Sequence, residues 1–138
     1  MNGNERVTLF FDDFTSSSLD RSVWNVRATE VPYNREQQAY VDSEETIRLV
    51  QDGMGKGVNG ALAIHGLYRP GSVSAGGGRF DFISGRIDTR TKVEFAPGTI
   101  SARIKLAEGQ GIWPALWALG TSGGWPGAGE IDVMENVG

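Results

Sequence analysis

The sequence predicts an all-β fold, an antiparallel β-sandwich or jelly roll, on the basis of three observations. Polar and apolar side chains alternate along several segments, and no long segment has the 3.6-residue period of a helix. The chain has 20 glycines, which suits a turn-rich fold, and 39% apolar residues, which excludes a disordered protein. Its 138 residues are enough for one domain with a sizeable core, so we expect a single domain over residues 1–138.

The clearest predicted strand runs from Arg86 to Phe95, where polar and apolar side chains alternate. A second alternating run, from Ile100 to Leu106, follows the turn residues Pro97 and Gly98. Two such runs around a Pro-Gly turn predict a β-hairpin. Shorter strands are predicted at Val7–Phe11, Val23–Ala28, Thr46–Val50 and Ala61–His65, with loops at Thr15–Ser18, Asp52–Asn59 and Pro70–Gly78.

Charge and composition exclude several classes of function. The net charge is -4 and the 13 basic residues are scattered, so no basic stripe is available for nucleic acid. There is no cysteine, which excludes disulfides and thiolate metal sites. No apolar run approaches the ~20 residues of a membrane helix, so we expect no membrane partner. The start of the chain lacks the basic and apolar segments of a signal peptide, as would a chain that begins after signal removal.

The segment from Gly129 to Asn136 places three carboxylates within six residues, at Glu130, Asp132 and Glu135. On a regular strand the first two share a face and Glu135 points to the other side. One extra residue, a β-bulge at Val133 or Met134, would bring Glu135 into phase with them. The sequence therefore predicts a bulged strand with three acids on one face.

Paired carboxylates on one face are typical of glycosidases. In a retaining enzyme one carboxylate attacks the anomeric carbon, and the other first donates a proton and then activates water. From the acids alone, a solvated acidic strand or a calcium loop is about as well supported. Calcium loops usually interleave acids with Asn and Gly, however, and this segment interleaves them with Ile, Val and Met.

Tryptophans just before the acids favour a sugar-binding surface. Trp113, Trp117 and Trp125 lie upstream of the acidic segment, and indole rings pack well on the C–H faces of sugars. Burial in the core is the alternative for each of them, and we expect at least two to contact substrate. His65 is the only histidine, which leaves His-based metal sites and Ser-His-Asp catalysis without support.

These residues resemble glycoside hydrolase family 16, and in particular its laminarinase-type members, which are endo-β-1,3-glucanases. The segment from Glu130 to Glu135 resembles the E-I-D-x-M-E signature, whereas lichenases carry a shorter E-I-D-x-E form. Further resemblances follow the family's order along nearly the whole chain: Leu19 to Trp24, Asn34 to Tyr40, Ser84 to Ile87, Ile112 to Trp117, and Trp125-Pro126 before Gly129.

The resemblance implies a concanavalin-like jelly roll with a concave substrate cleft. It implies Glu130 as nucleophile, Asp132 as its helper and Glu135 as acid/base. Residues that fall where the family lines its cleft are Asn34, Arg86, Trp113, Trp117 and Trp125. Many members hold a structural calcium, for which Asp13 is the candidate ligand here, and the chemistry requires no cofactor.

The expected function is retaining endo-hydrolysis of β-1,3-glucan (laminarin) or mixed β-1,3/1,4-glucan by an extracellular enzyme. A non-catalytic β-glucan-binding module and a hydrolase of agar or carrageenan are the alternatives. Relatives continue beyond the acid signature, so we expect a catalytic domain that is incomplete on its C-terminal side. A second chain or a C-terminal fragment would then complete the sandwich, and the lone piece would have little activity.

Overall fold

The computed structural model describes residues 6–28, 34–51 and 60–138. These residues form nine β-strands and no helix, which confirms the all-β prediction, and none of them belongs to a helix that could cross a membrane. The strands are β1 Asn25–Val26, β2 Gln38–Tyr40, β3 Ile47–Gln51, β4 Gly60–Ile64, β5 Leu67–Val73, β6 Arg79–Ser84, β7 Ile87–Asp88, β8 Ala115–Leu119 and β9 Glu130–Glu135.

The chain divides into two units, Met1–Val93 and Glu94–Gly138. In the first unit β1 pairs with β7, β3 pairs with β4, and β2, β6 and β5 form a three-stranded sheet in that order. The β1–β7, β3–β4 and β5–β6 pairs are antiparallel, while β2 and β6 are parallel. The second unit contains the antiparallel pair β8–β9.

The buried apolar side chains of the first unit lie on β2, β3 and β6. Ala39, Ile47 and Ile83 are its buried apolar side chains among the described residues. Gly85 follows β6 and contacts Ile47 so closely that a Cβ atom there would lie 2.3 Å from the Ile47 side chain. The turn before β3 is closed by Thr46, whose hydroxyl donates hydrogen bonds to the carbonyls of Val41 and Ser43. Small side chains and satisfied polar groups thus allow close packing.

The short strands predicted at Thr46–Val50 and Ala61–His65 are confirmed as β3 and β4 to within one residue at each end. Val23–Ala28 contains only the two residues of β1, because Val23 lies in a turn in which it donates to the carbonyl of Asp20. The strand predicted at Val7–Phe11 is wrong. These residues form no ladder with any described strand, because alternation of side chains does not by itself supply a partner strand.

The hairpin predicted from Arg86 to Leu106 is also wrong. Only β7 is a strand there, because a turn follows in which the Thr89 carbonyl accepts hydrogen bonds from the N–H groups of Lys92 and Val93. The Thr89 hydroxyl donates to the Val93 carbonyl, and Thr91 adopts a φ of +64°. Residues 100–106 form no ladder with any strand in the described part of the chain.

The loop predicted at Pro70–Gly78 is shorter in the structure. β5 continues to Val73, with an irregularity in its pairing to β6 between Tyr68 and Ser72. The chain then reverses over residues 75–77, where Gly77 has a φ of +83° that favours glycine. The triple glycine is therefore part of a tight turn. Thr15–Ser18 is a loop as predicted, and the loop predicted at Asp52–Asn59 lies outside the described residues.

An ion pair joins Asp88 of β7 to Arg27, the residue that directly follows β1. The Asp88 carboxylate accepts hydrogen bonds from the Arg27 guanidinium, from Asn25 and from the backbone of Arg90. Burial, the largest single influence, raises the pKa of Asp88, but the hydrogen bonds from Arg27 and Asn25 together with that of Arg90 outweigh it, and the pKa lies below its usual value. The folded protein therefore favours ionised Asp88.

We expect Asp88→Asn to lower the free energy of unfolding at pH 7 by about 1–2 kcal/mol, because it removes a charged acceptor of several hydrogen bonds. Since the pKa is lower in the folded state, this stabilisation holds above the unfolded pKa of about 3.9 and is lost as the pH falls through the folded-state pKa. Urea unfolding between pH 7 and pH 3 measures both. The matched control is Asp42→Asn in the more exposed ion pair with Arg21, which should cost less than about 1 kcal/mol. Equal costs at the two sites, or no dependence on pH, would contradict the prediction.

Candidate active site

The acidic segment forms β9, and its register with β8 contains the predicted irregularity. Leu116 lies opposite Met134, while the next residue, Trp117, lies opposite Asp132. Val133 is therefore the one residue of β9 that has no partner on β8 between these two pairs. A β-bulge is a place where one strand of a pair contains one more residue than its partner strand. The predicted bulge is present, and Val133 is the extra residue.

The bulge decides which way the three acids point. Residues that lie directly opposite each other on neighbouring strands share a face, and alternate residues of a strand share a face. The three pairs involve alternate residues of β8: Glu130 with Leu119, Asp132 with Trp117, and Glu135 with Ala115. The three carboxylates thus lie on one face of the hairpin, as the sequence predicts.

The loop between β8 and β9 is held closed by backbone contacts. The N–H of Gly120 donates to the carbonyl of Gly129 at 3.0 Å. A Cβ atom at Gly120 would lie 2.0 Å from the Ala128 carbonyl oxygen, so this approach requires glycine. At the other end of the hairpin Asn136 donates to the carbonyl of Pro114 at 3.1 Å. The acidic strand is therefore fixed at both ends.

Two tryptophans donate hydrogen bonds to two of the acids. Nε1 of Trp125 lies 2.7 Å from Oε2 of Glu130, and Nε1 of Trp113 lies 2.9 Å from Oε1 of Glu135. Trp125 is 72% exposed and Trp113 is 44% exposed, so both rings also present area to solvent. Trp117 is half-buried and faces Asp132 across the ladder. The structure thus brings all three predicted tryptophans to the acidic hairpin.

The other two predicted cleft residues, Asn34 and Arg86, lie in the first unit. Asn34 is exposed and adopts a φ of +56°. The Arg86 guanidinium lies over the ring of Tyr40, 5.9 Å from its centroid, within the range of a cation–π contact.

The Tyr40 ring that Arg86 contacts belongs to a hydrogen-bond network that was not predicted from the sequence. The Tyr40 hydroxyl donates to Glu36 at 2.6 Å, and Gln38 donates to the same carboxylate oxygen. Burial, followed by the Glu36 hydrogen bond, raises the pKa of Tyr40 to about 12, so the phenol remains a donor at ordinary pH. Polar side chains at every second position, 36, 38 and 40, were the signal that could have identified the network.

Asp13, the candidate calcium ligand, lies in an exposed turn. Its Oδ1 atom accepts hydrogen bonds from the hydroxyl and the backbone N–H of Thr15, and these lower the pKa of Asp13. Among the described residues no three acidic, histidine or cysteine side chains come together as a metal site. Within that part of the chain, Asp13 therefore lacks the side-chain ligands that calcium usually gathers.

Comparison with known proteins places the acidic segment in a recognised sequence family. Residues 82–138 match the family model described as "XgeA-like, catalytic GH16 domain". A glucan endo-1,3-beta-glucosidase A1 from Niallia circulans is 35% identical over 137 residues, which are 90% of this chain and 19% of that protein. A beta-1,3-glucan-binding protein from Penaeus monodon is 38% identical over 58 residues, 40% of this chain and 16% of that protein.

A solved structure has the same fold. The endo-beta-1,3-glucanase from Pyrococcus furiosus superposes with a TM-score of 0.70 and 30% sequence identity, over 91% of this chain and 48% of that chain. This likeness confirms the predicted jelly-roll fold class. The chain spans about half the length of this relative and less than a quarter of the length of the two sequence relatives.

Proposed function

Because the chain belongs to glycoside hydrolase family 16, we propose that it hydrolyses internal bonds of β-1,3-glucan (laminarin) or mixed β-1,3/1,4-glucan with retention of configuration. The observation that carries this proposal is the bulge at Val133, because it brings Glu130, Asp132 and Glu135 to one face. Retaining hydrolysis needs two carboxyl groups that flank one scissile bond, so both must project from the same face of the protein into one cleft.

The proposed reaction has two steps. In the first, a carboxylate oxygen of Glu130 forms a bond to the anomeric carbon while the glycosidic bond breaks, and Glu135 gives its proton to the departing oxygen. In the second, Glu135 takes a proton from water, whose oxygen attacks the anomeric carbon and breaks the ester bond to Glu130. Asp132 lies between the two on the same face and is proposed to hydrogen-bond a neighbouring carboxyl group and set which acid holds the proton.

The proposed substrate contacts combine stacking and hydrogen bonding. Trp113, Trp117 and Trp125 lie on or beside the acidic hairpin, and aromatic rings supply apolar area for sugar faces. Asn34 and Arg86 are proposed to donate hydrogen bonds to sugar hydroxyl groups. A neutral polysaccharide also suits a chain with a net charge of -4, since its recognition needs no basic surface.

A β-glucan-binding module is the second candidate, since the relative from Penaeus monodon is named as a binding protein. The presence of both Glu130 and Glu135 favours the enzyme, because binding alone does not need two carboxylates on one face. A reducing-sugar assay on laminarin, lichenan, agarose and carrageenan tests the proposal. Release of new ends from laminarin or lichenan is expected. Activity confined to agarose or carrageenan would reassign the substrate, and binding of laminarin without hydrolysis would support the module.

The length of the acidic segment provides a further test of the proposal. Deleting Val133 leaves Glu-Ile-Asp-Met-Glu, in which regular alternation alone places all three acids on one face. We expect this variant to remain folded and to keep hydrolysis within about tenfold of the wild type, because the bulge and the shorter strand give the acids the same phase. Reducing-sugar release from laminarin, with a thermal melt of each protein, measures this.

The matched control is deletion of Ile131. It makes Glu130 and Asp132 neighbours, which cannot share a face of one strand, so we expect at least a hundredfold loss of hydrolysis. An equal loss of hydrolysis in both deletion variants would contradict the idea that the bulge matters because it brings the three acids to one face.

We also propose that the chemistry needs no cofactor, that a structural calcium could engage Asp13 together with backbone carbonyls, and that the enzyme works outside the cell. Calcium binding would raise the melting temperature, because a ligand that binds only the folded state stabilises it. We expect a rise with calcium chloride over EDTA that is lost in Asp13→Ala. An unchanged melting temperature would remove calcium from the proposal.

A further inference from the structure

Two indole hydrogen bonds distinguish the two oxygens of each proposed reacting carboxyl group, because each bond engages only one of them. Trp125 donates to Oε2 of Glu130, and Trp113 donates to Oε1 of Glu135. In the part of the chain that the structure describes, the second oxygen of each carboxyl group accepts no other hydrogen bond. Each acid is thus held through one oxygen, and the other oxygen is left for reaction.

This arrangement matters because a glutamate has a long side chain with several rotatable bonds. A carboxylate fixed by a donor loses fewer orientations when it reacts, and reacting groups must be held close to the productive geometry. The indole N–H can only donate a hydrogen bond, so the carboxylate oxygen that faces it must be an acceptor and cannot itself carry the proton. The contact therefore fixes which oxygen of each acid faces the donor.

We propose that Trp125 and Trp113 are positioning residues, Trp125 for the nucleophile Glu130 and Trp113 for the acid/base Glu135. The inference rests on the proposed function for the roles of the two acids, and it goes beyond stacking on sugar rings. Oε1 of Glu130 is then the atom that bonds to the anomeric carbon, and Oε2 of Glu135 is the atom that carries the proton. A side chain that serves only as a stacking surface would not distinguish the two acids.

The kinetic test compares Trp113→Phe with Trp125→Phe on two substrates. One is laminarin, and the other is a 2,4-dinitrophenyl β-laminaribioside, whose leaving group departs without receiving a proton. The value of kcat/KM reports the first step, in which Glu130 attacks. We expect Trp125→Phe to lower kcat/KM roughly tenfold or more on both substrates. Trp113→Phe should lower it by a similar factor on laminarin and less than about threefold on the dinitrophenyl substrate.

A second replacement separates positioning from stacking. 3-Benzothienylalanine keeps the shape of tryptophan and lacks the N–H, so installing it at position 113 or 125 removes only the hydrogen bond. We expect it to reproduce the pattern of the phenylalanine variants. Wild-type kinetics in the benzothienyl proteins, or equal losses on both substrates at both positions, would overturn the proposal.

A readout without catalysis tests the contacts themselves. In ¹⁵N-labelled protein, Glu130→Gln should shift the indole N–H resonance of Trp125 and leave that of Trp113 in place, and Glu135→Gln should do the reverse. Resonances that do not respond in this pairwise way would overturn the inference even if the enzyme is active. If the wild type hydrolyses no glucan while the resonances respond as expected, the proposed function fails and the positioning roles fail with it, although the hydrogen bonds stand.

Discussion

Glu130→Gln and Glu135→Gln are each expected to lower hydrolysis of laminarin by at least about a thousandfold while the fold is retained. Glutamine is close to glutamate in size but can neither attack the anomeric carbon nor exchange a proton. Removing a nucleophile or a proton donor raises the barrier by several kcal/mol, at roughly tenfold per 1.4 kcal/mol. Reducing-sugar release measures the loss, and a thermal melt shows that the protein is folded. More than about a tenth of wild-type activity in either variant would mean that the acid concerned is wrongly assigned.

The matched control for these variants is Glu108→Gln. Glu108 is an exposed glutamate of the same unit that lies outside β8 and β9. Loss of its charge should leave hydrolysis within about twofold of the wild type, because an exposed surface charge contributes little. A loss in Glu108→Gln as large as in the other two would indicate a general effect of charge on the protein.

The acidic strand was predictable because one sequence feature determined its geometry. Six residues from Glu130 to Glu135 put the two glutamates out of phase on a regular strand, so a shared face required one extra residue. The structure has that extra residue at Val133. The face to which a side chain of a strand points depends on its distance along the chain from its neighbours, and the sequence gives that distance.

The strands of the first unit were less predictable because pairing is not local. The run from Arg86 to Phe95 alternates well, but the chain turns at Thr89, and the remaining residues form no ladder with a described strand. Conversely, β2 is three residues long and pairs with β6 about forty positions away. A ladder exists only where a partner strand is available, and alternation does not identify the partner.

The hydrogen bonds from the tryptophans to the acids could also not be predicted from the sequence. Trp125 was expected near the acids. Its N–H donates to Glu130 because Trp125 lies in the loop between β8 and β9, which the hydrogen bond from Gly120 to Gly129 closes. That closure depends on the near contact at Gly120 with Ala128, which a sequence pattern does not reveal. The gathering of the acids and tryptophans at one hairpin was therefore predictable, whereas the hydrogen bonds to individual carboxylate oxygens required coordinates.

The second large effect is expected from sodium azide, which should restore turnover to Glu130→Ala and give a product of inverted configuration. Alanine removes the proposed nucleophile and leaves space on the side of the sugar from which Glu130 is proposed to attack. Azide entering that space bonds to the anomeric carbon of a β-glucoside from the opposite side to the leaving group, so the product is the α-glycosyl azide. With a dinitrophenyl β-laminaribioside, we expect azide to raise the rate of Glu130→Ala at least about a hundredfold, because a small anion replaces an otherwise missing reactant.

Glu135→Ala should respond to azide with the opposite stereochemistry. By the proposed mechanism, Glu130 of that variant still forms the glycosyl-enzyme with the dinitrophenyl substrate. Azide then attacks from the side on which Glu135 is proposed to activate water. Two displacements restore the original configuration, so the product is the β-glycosyl azide. The coupling constant of the anomeric proton in the NMR spectrum distinguishes the two azides. A β-azide from Glu130→Ala together with an α-azide from Glu135→Ala would exchange the two roles. Absence of rescue in both variants would point to a single displacement, in which the two acids act on a water rather than through a covalent intermediate.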